Sequence, residues 1–389
     1  MSESKSQNGN LVYLIAGEHS GDRLGGPLMA ALKENSGTGI QFAGIGGPEM
    51  ARQGLQSLFP MSDLSVMGIA EVLPRIPKLL ARIRETVADI EQKRPAAVIT
   101  IDAPDFSFRV AKRLMGKGIP LIHYVAPSVW VWRPGRAAKI AVFLDHLLTL
   151  LPFEPDYFRA EGLAATFIGH SVVESAAADG DGQKFRKIHN IPPDAPLIVV
   201  LPGSRRGEVS RLLPIFGDTV AGLQGKIENL HVVIPTVDSV AAAVRSGVRN
   251  WKLPINVVDG DEAKFDAFAA GNVGLAASGT VALELAMSGL PSVVAYRMNP
   301  LTALLSKRLI RAPYANLVNV ILDREAVPEC LLERCRPDIL EAEVLNLLQD
   351  PAKQADQRQA YGDVMEKLGL GDDMPPSRRA ARVVLDLIS

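Results

Sequence analysis

Cysteine is scarce: Cys330 and Cys335 are the two thiols in 389 residues. They can build neither a disulfide framework nor a four-thiolate zinc site, and they suit a reducing compartment. Net charge is almost absent. Forty-two Lys and Arg against 43 Asp and Glu leave −1, which argues against a dedicated nucleic-acid binder. Long apolar runs are also missing. The longest, residues 140–153, is interrupted by Asp145 and His146 and falls short of the roughly 20 residues a spanning helix needs. The polar start MSESKSQNGN precedes an apolar run, Leu11–Ala16, too short for a signal peptide. The expectation is a cytoplasmic chain whose membrane contact, if any, is peripheral. Aromatic residues make up 5%, with three tryptophans, so any cluster of them stands out.

What the chain does have is a repeated unit: a short apolar run, a Gly/Pro/Asp turn, then a helical stretch. Such runs appear at residues 11–17, 41–47, 97–101, 120–125, 146–151 and 165–168, and again at 197–201, 231–235, 255–258, 273–277 and 291–296. Uninterrupted apolar runs alternating with helices predict parallel sheets covered on both faces. The stretch 174–195 is polar, rich in Ala, Gly, Asp and Pro and without period, so it reads as a linker and domain entry. The fold class is therefore α/β, two tandem doubly wound Rossmann-like domains at 1–180 and 181–336. A charged helical tail, 337–389, would pack back on the first domain or on a partner chain. Ligands of such sheets bind outside the carboxyl ends of the strands.

The chemistry-bearing residues are sought at those ends. The first turn runs Gly17-Glu18-His19-Ser20-Gly21-Asp22, with further glycines at 25 and 26; the spacing G-x-G-x-x-G is absent, which argues against a dinucleotide site. Glu18 points to a crevice, whereas Asp22 or Ser20 also reads as a helix cap. Asp102 directly follows the run Ala97–Ile101, where a charge needs a role or a partner, and a general base for a sugar hydroxyl suits it. Asp105 reads as a cap of the next helix. The string His123-Tyr124-Val125-Ala126-Pro127-Ser128-Val129-Trp130-Val131-Trp132-Arg133 holds two of the three tryptophans beside basic residues, suited to a sugar or acyl chain and a phosphate; His123 reads as a core histidine. In the second series, Gly203-Ser204-Arg205 and Ser278-Gly279-Thr280 follow strands and precede helices, as diphosphate sites do, and Glu284 lies one turn further on, placed to accept from ribose hydroxyls. Asp179-Gly180-Asp181 and Asp259-Gly260-Asp261 read as turns and caps rather than metal sites. Residues 67–90 form an amphipathic stretch with Ile76, Leu79, Leu80, Ile83, Val87 and Ile90 at helical spacing and basic neighbours, compatible with a lipid surface and equally with a helix covering a sheet.

Taken together and in order, these strings resemble the lipid-A-disaccharide synthase family. Val66-Met67-Gly68, Leu151-Pro152-Phe153-Glu154, Ile168-Gly169-His170 and Tyr296-Arg297-Met298 add to the likeness, and the tryptophan-bearing string is its most specific part. Two positions depart: His19 stands where Thr is expected, and Val318 replaces Pro in Leu317-Val318-Asn319. The resemblance implies a GT-B glycosyltransferase that joins UDP-2,3-diacylglucosamine to 2,3-diacylglucosamine 1-phosphate with inversion, releasing UDP, with no cofactor and no metal. It implies Asp102 as base and Glu18 as supporting acid, an assignment that stays interchangeable between the two. Gly203, Ser204, Arg205, Ser278, Gly279, Thr280, Glu284 and Asn319 would hold the donor. Ser20, Gly21, Asp22, Met67, Ser128, Trp130, Trp132 and Arg133 would meet the acceptor and lipid. It further implies association with the inner leaflet through residues 67–90, with a homodimer as an open alternative. The rival readings are a UDP-N-acetylglucosamine 2-epimerase or peptidoglycan glycosyltransferase, which lack the tryptophan string, and an inactive binding module.

Overall fold

A computed structural model describes residues 8–36, 39–64, 76–132, 135–298 and 312–389, with the backbone alone for Asn8, Gly9 and Trp132. Residues 67–75 of the amphipathic stretch, Met67 among them, and Arg133 lie outside the described residues.

The apolar runs form two parallel six-stranded sheets. The first contains β1 (Asn8–Ala16), β2 (Gln41–Ile45), β3 (Pro95–Ile101), β4 (Leu121–Tyr124), β5 (His146–Thr149) and β6 (Ala164–Phe167), in the order β2-β1-β3-β4-β5-β6. The second contains β7 (Leu197–Leu201), β8 (His231–Thr236), β9 (Ile255–Asp259), β10 (Val273–Ala277), β11 (Ser292–Tyr296) and β12 (Glu329–Leu331), in the order β12-β11-β10-β7-β8-β9. Every residue of β7 and β10 is buried, which is why those strands read as continuous apolar runs rather than alternating ones. The three-residue β12 carries no such signal and was not expected from the sequence.

Each sheet reverses its direction of growth once, between β1 and β3 in the first and between β7 and β10 in the second. At such a point the following helices leave to opposite faces, and the carboxyl ends open a crevice. Register places the motifs there. Ala16 pairs with Ile101, so Gly17-Glu18 and Asp102 follow adjacent strand ends. Leu201 pairs with Ala276, so Gly203-Ser204-Arg205 and Ser278-Gly279-Thr280 do the same.

The chain divides into two compact units, Met1–Ser171 with Gly371–Ser389, and Val172–Leu370. In the first unit, α1 (His19–Asn35) and α2 (Pro48–Arg52) cover one face, while α3 (Ile76–Lys93), α4 (Pro104–Leu114), α5 (Val129–Trp132), α6 (Gly135–Ala141) and α7 (Glu154–Arg159) complete the rest. In the second, α8 (Gly182–Ile188), α9 (Arg206–Gln224), α10 (Asp238–Gly247), α11 (Asp261–Ala270), α12 (Val281–Met287), α13 (Leu317–Leu322), α14 (Pro337–Gln349) and α15 (Pro351–Lys367) surround β7–β12. The division falls earlier than residue 180, and the helical tail is shared out. α14 and α15 stay with the second unit, where Leu340, Val344 and Leu347 join its core. Only α16 (Pro376–Ile388) returns to the first.

Helix α16 does so because Ala380, Ala381 and Val384 fall on one face and are fully buried in the cluster that holds Leu28, Met29 and Leu32 of α1; Arg378 pairs with Glu34 at the rim. Helix α3 spends its apolar stripe in the same way. Ile83 and Ile90 are buried in the core, and Leu79, Leu80 and Val87 pack against it. Of the six stripe residues only Ile76 is exposed. Its basic neighbours Lys78 and Arg82 bind Asp63, and Arg82 lies over the Phe59 ring. The described part of the amphipathic stretch is therefore a sheet-covering helix, a correction to its lipid-facing reading. No helix among the described residues is long and apolar enough to cross a membrane.

The seating of α16 is checked by thermal and denaturant unfolding. Val384→Ala removes fully buried methyls and is expected to cost about 2 kcal/mol. Leu387→Ala, on the exposed face of the same helix, should stay within about 0.5 kcal/mol of the parent chain.

Candidate active site

The first crevice is built from two strand ends. Asp102 and Ala103 have φ of 51° and 44°, a left-handed pair without glycine, and Ala103 precedes Pro104. That conformation is costly and is held from three sides. The Asp102 N–H donates to the Tyr124 carbonyl (2.9 Å), its carbonyl accepts from the Ser107 hydroxyl (2.8 Å), and its Oδ2 accepts from the Ser20 hydroxyl (2.9 Å). Half-buried, the Asp102 carboxylate is oriented by Ser20 from the first turn of α1. Gly17 permits the two turns to touch, since a Cβ there would stand 2.5 Å from the Ala103 Cβ. Glu18 is the extended residue before α1 and its side chain makes no capping bond. Gly21 packs close to the Ile101 carbonyl.

Two expectations change here. Asp22 is fully buried, and its carboxylate accepts from the backbone N–H groups of Gly47 (2.8 Å), Glu49 (3.0 Å) and Met50 (3.0 Å). It caps the neighbouring helix α2 and is not placed to touch an acceptor. Asp105 is exposed and does not cap α4; the residue before that helix is Ala103, with no side-chain cap.

The tryptophan string folds as β4 followed by the short α5. Val125, a β-branched residue, has φ 83°, so β4 also ends in strain. Ser128 is exposed. Trp130 is half-buried, edge-on to Phe153 (5.3 Å, 87°), and its indole N–H faces Glu154 Oε1 (3.4 Å). Glu154 is buried, with Oε2 accepting from the Leu150 and Leu151 N–H groups (3.3 and 3.1 Å). Burial pushes its carboxyl up to about 7 against these donors. His123 is a core histidine as expected. It is buried, its Nδ1 lies 2.7 Å from the Thr100 hydroxyl, and Phe108 packs at 4.6 Å. Burial, then the Arg136 charge, push it down to about 3.

In the second unit, Gly203 has φ 110°, and a Cβ there would lie 2.7 Å from Glu208 Cβ; both features require glycine. Ser204 and Arg205 are exposed, and Arg205 lies immediately before α9. Opposite them, Ser278 is engaged within the protein, its N–H on the Ala295 carbonyl (3.0 Å) and its hydroxyl on the Ala315 carbonyl (3.1 Å). Gly279 and Thr280 are exposed at the same turn. Glu284 lies one turn into α12, with both oxygens on Lys264 Nζ (3.0 and 2.9 Å). Asn319 is a correction. It is fully buried, donating to the Val327 carbonyl and Glu329 and accepting from the Ala326 and Val327 N–H groups, all at 2.8 Å. Its four bonding positions are filled, so it shapes the segment before β12 instead of touching a donor. Of the aspartate triplets, Asp181 caps α8, Asp259 pairs with Arg245 and Asp261 with Lys264.

Compared with known proteins, residues 12–376 match the family described as Lipid-A-disaccharide synthetase. The lipid-A-disaccharide synthase of Rhodospirillum centenum is 55% identical over 97% of this chain and 95% of its own length, and that of Paramagnetospirillum magneticum 52% over 97% of each. The chain belongs to the lipid-A-disaccharide synthase family. Among solved structures, the glycotransferase of kitacinnamycin superposes with a TM-score of 0.65 at 17% identity, covering 97% of this chain and 98% of that one. The UDP-N-acetylglucosamine 2-epimerase of Neisseria meningitidis reaches 0.62 at 11%, with the same coverage. At such identities these share the fold alone, the GT-B fold of two parallel sheets. Family membership makes the chain a GT-B glycosyltransferase of lipid A disaccharide synthesis acting on lipid-linked sugars.

Sequence reasoning missed Lys264 and the role of Glu154. Lys264 sits twenty residues from Glu284 with nothing in the pattern to join them. Glu154 reads as an ordinary acid in the first turn of a helix until its burial is seen.

Two expected outcomes follow from these roles. Asp22→Ala strips three backbone donors of their acceptor and should lower unfolding free energy by about 3 kcal/mol in chemical denaturation. His123 must stay neutral when folded but takes a proton near 6.5 when unfolded. Its contribution is thus complete above pH 6.5 and is lost as pH falls towards about 3. His123→Gln should make the decline of the melting temperature between pH 6.5 and 4 shallower.

Proposed function

We propose that the chain joins UDP-2,3-diacylglucosamine to 2,3-diacylglucosamine 1-phosphate, with the first unit taking the acceptor and the second the UDP-sugar. The carrying observation is the Ser20–Asp102 hydrogen bond at the β1/β3 reversal, in a chain 55% identical to a lipid-A-disaccharide synthase. Asp102 takes the proton from the acceptor 6-hydroxyl as that oxygen attacks the anomeric carbon. Ser20 holds the carboxylate oxygen it binds, so the other is directed at the hydroxyl. Glu18, beside it, supports the acceptor.

One in-line displacement inverts an α-linked donor into a β-1′,6 product, and UDP departs with the bond's electron pair. The general logic is that of an inverting carboxylate with a sugar hydroxyl in place of water. The departing diphosphate is stabilised by the Arg205 guanidinium and by the backbone at Gly203, Ser204, Gly279 and Thr280. Glu284 accepts from the ribose hydroxyls. Ser128 and Trp130 form the acceptor-side wall, and the family resemblance assigns Trp132 and Arg133 to the same ligand. The acyl chains of both sugars require contact with a bilayer face, and residues 67–75 remain the candidate for it.

Purified protein supplied with both acylated sugars in detergent, with EDTA present, should release UDP and form a lipid disaccharide. Formation of N-acetylmannosamine from UDP-N-acetylglucosamine without disaccharide would instead favour the epimerase reading. Asp102→Asn should lower kcat by about 10²–10⁴-fold while UDP affinity stays at the parent value. Near-parental turnover in Asp102→Asn, with loss in Glu18→Gln, would exchange the roles of the two acids.

A further inference from the structure

One buried acid has no part in the chemistry above. Glu154 opens α7 directly behind the tryptophan string. It is 4% exposed, and among the described residues no cation pairs with it. Its partners are three N–H donors. Oε2 accepts from Leu150 and Leu151, which follow the carboxyl end of β5, and Oε1 faces the indole N–H of Trp130, which follows the end of β4. Phe153, the preceding residue, meets the same indole edge-on. The turn after β5 therefore grips one side chain of the turn after β4 by its ring and by its polar atom.

An unpaired buried carboxyl is expensive, and a hydrophobic residue of similar size would fill the space without that cost. The carboxylate is distinguished by accepting on both oxygens at once. We propose that Glu154 is a positioning residue for acceptor binding, holding Trp130 and with it residues 128–131 in the orientation that receives the acceptor sugar. The inference rests on the reading of that turn as the acceptor-side wall.

Glu154→Gln is nearly isosteric but cannot substitute. An amide has one accepting oxygen and one donating nitrogen, so either the Leu150 and Leu151 N–H groups or the indole N–H would meet another donor. Steady-state kinetics with each substrate varied in turn should show the acceptor KM rising about tenfold in Glu154→Gln, with the donor KM unchanged. Trp130→Phe, which keeps an aromatic ring on Phe153 but loses the N–H, should raise the acceptor KM likewise. The double variant should be no worse than the poorer single one, because both changes break the same contact.

Multiplicative losses in the double variant, or an unchanged acceptor KM in Glu154→Gln, would overturn the proposal and reduce Glu154 to a support of the β5–α7 turn. An unchanged acceptor KM in Trp130→Phe would remove the acceptor reading of the turn itself, and the proposal with it. Should Glu154→Gln not fold, Trp130→Phe answers alone. Carboxyl NMR must then show the Glu154 titration moving upward on loss of the indole donor, and an unmoved titration would overturn the contact.

Discussion

Parallel strands all finish at the same edge of their sheet, and this constraint governs the rest of the molecule. A sheet that grows in one direction has its crossover helices on one face. A sheet that reverses sends two successive helices to opposite faces and leaves the strand ends between them uncovered. Here the reversals fall between β1 and β3 and between β7 and β10. The segments that follow those strands carry Glu18 and Ser20, Asp102, Arg205, and Gly279 with Thr280. Chemistry collects there because backbone and side chains can be polar at a strand end without being buried in a core.

Crowding two turns at one edge imposes local strain. Asp102, Ala103 and Val125 all take left-handed backbone without being glycine, at the ends of β3 and β4. Glycine is reserved for the closest approaches, Gly17 against Ala103 and Gly203 against Glu208. The strained pair is stable because its N–H, its carbonyl and its carboxylate each have a partner from a different segment. The same bonds that hold the strain also aim the carboxylate.

Polar residues near the site divide by burial. Asp22, Asn319 and His123 are buried with their bonding capacity taken up by neighbouring groups, and each of them builds the frame. Ser20, Asp102, Ser204, Arg205, Gly279 and Thr280 keep contact with solvent, as their proposed roles require. Glu154 belongs to neither group: it is buried, yet one of its oxygens is turned to the half-buried Trp130.

Much of this was legible in the amino-acid sequence. Apolar runs of four to eight residues, bounded by turn residues and alternating with helical stretches, mark strands covered on both faces, so the two sheets and nearly all their strands were readable; β12, three residues long, was too short to carry a pattern. Acids directly after such runs marked Glu18 and Asp102. The sequence could not tell Asp22, which caps a helix, from an acid that meets substrate, because its partners lie 25 to 28 residues away. Nor could it assign Asn319, whose four bonds close a local loop, or see that the stripe of α3 faces a core. Periodicity states that a helix has an apolar side, but packing alone chooses what covers it. The tail shows the same limit. Its helices were evident from composition, whereas the return of α16 to α1 depended on Ala380, Ala381 and Val384 finding a matching face across more than 300 residues of chain.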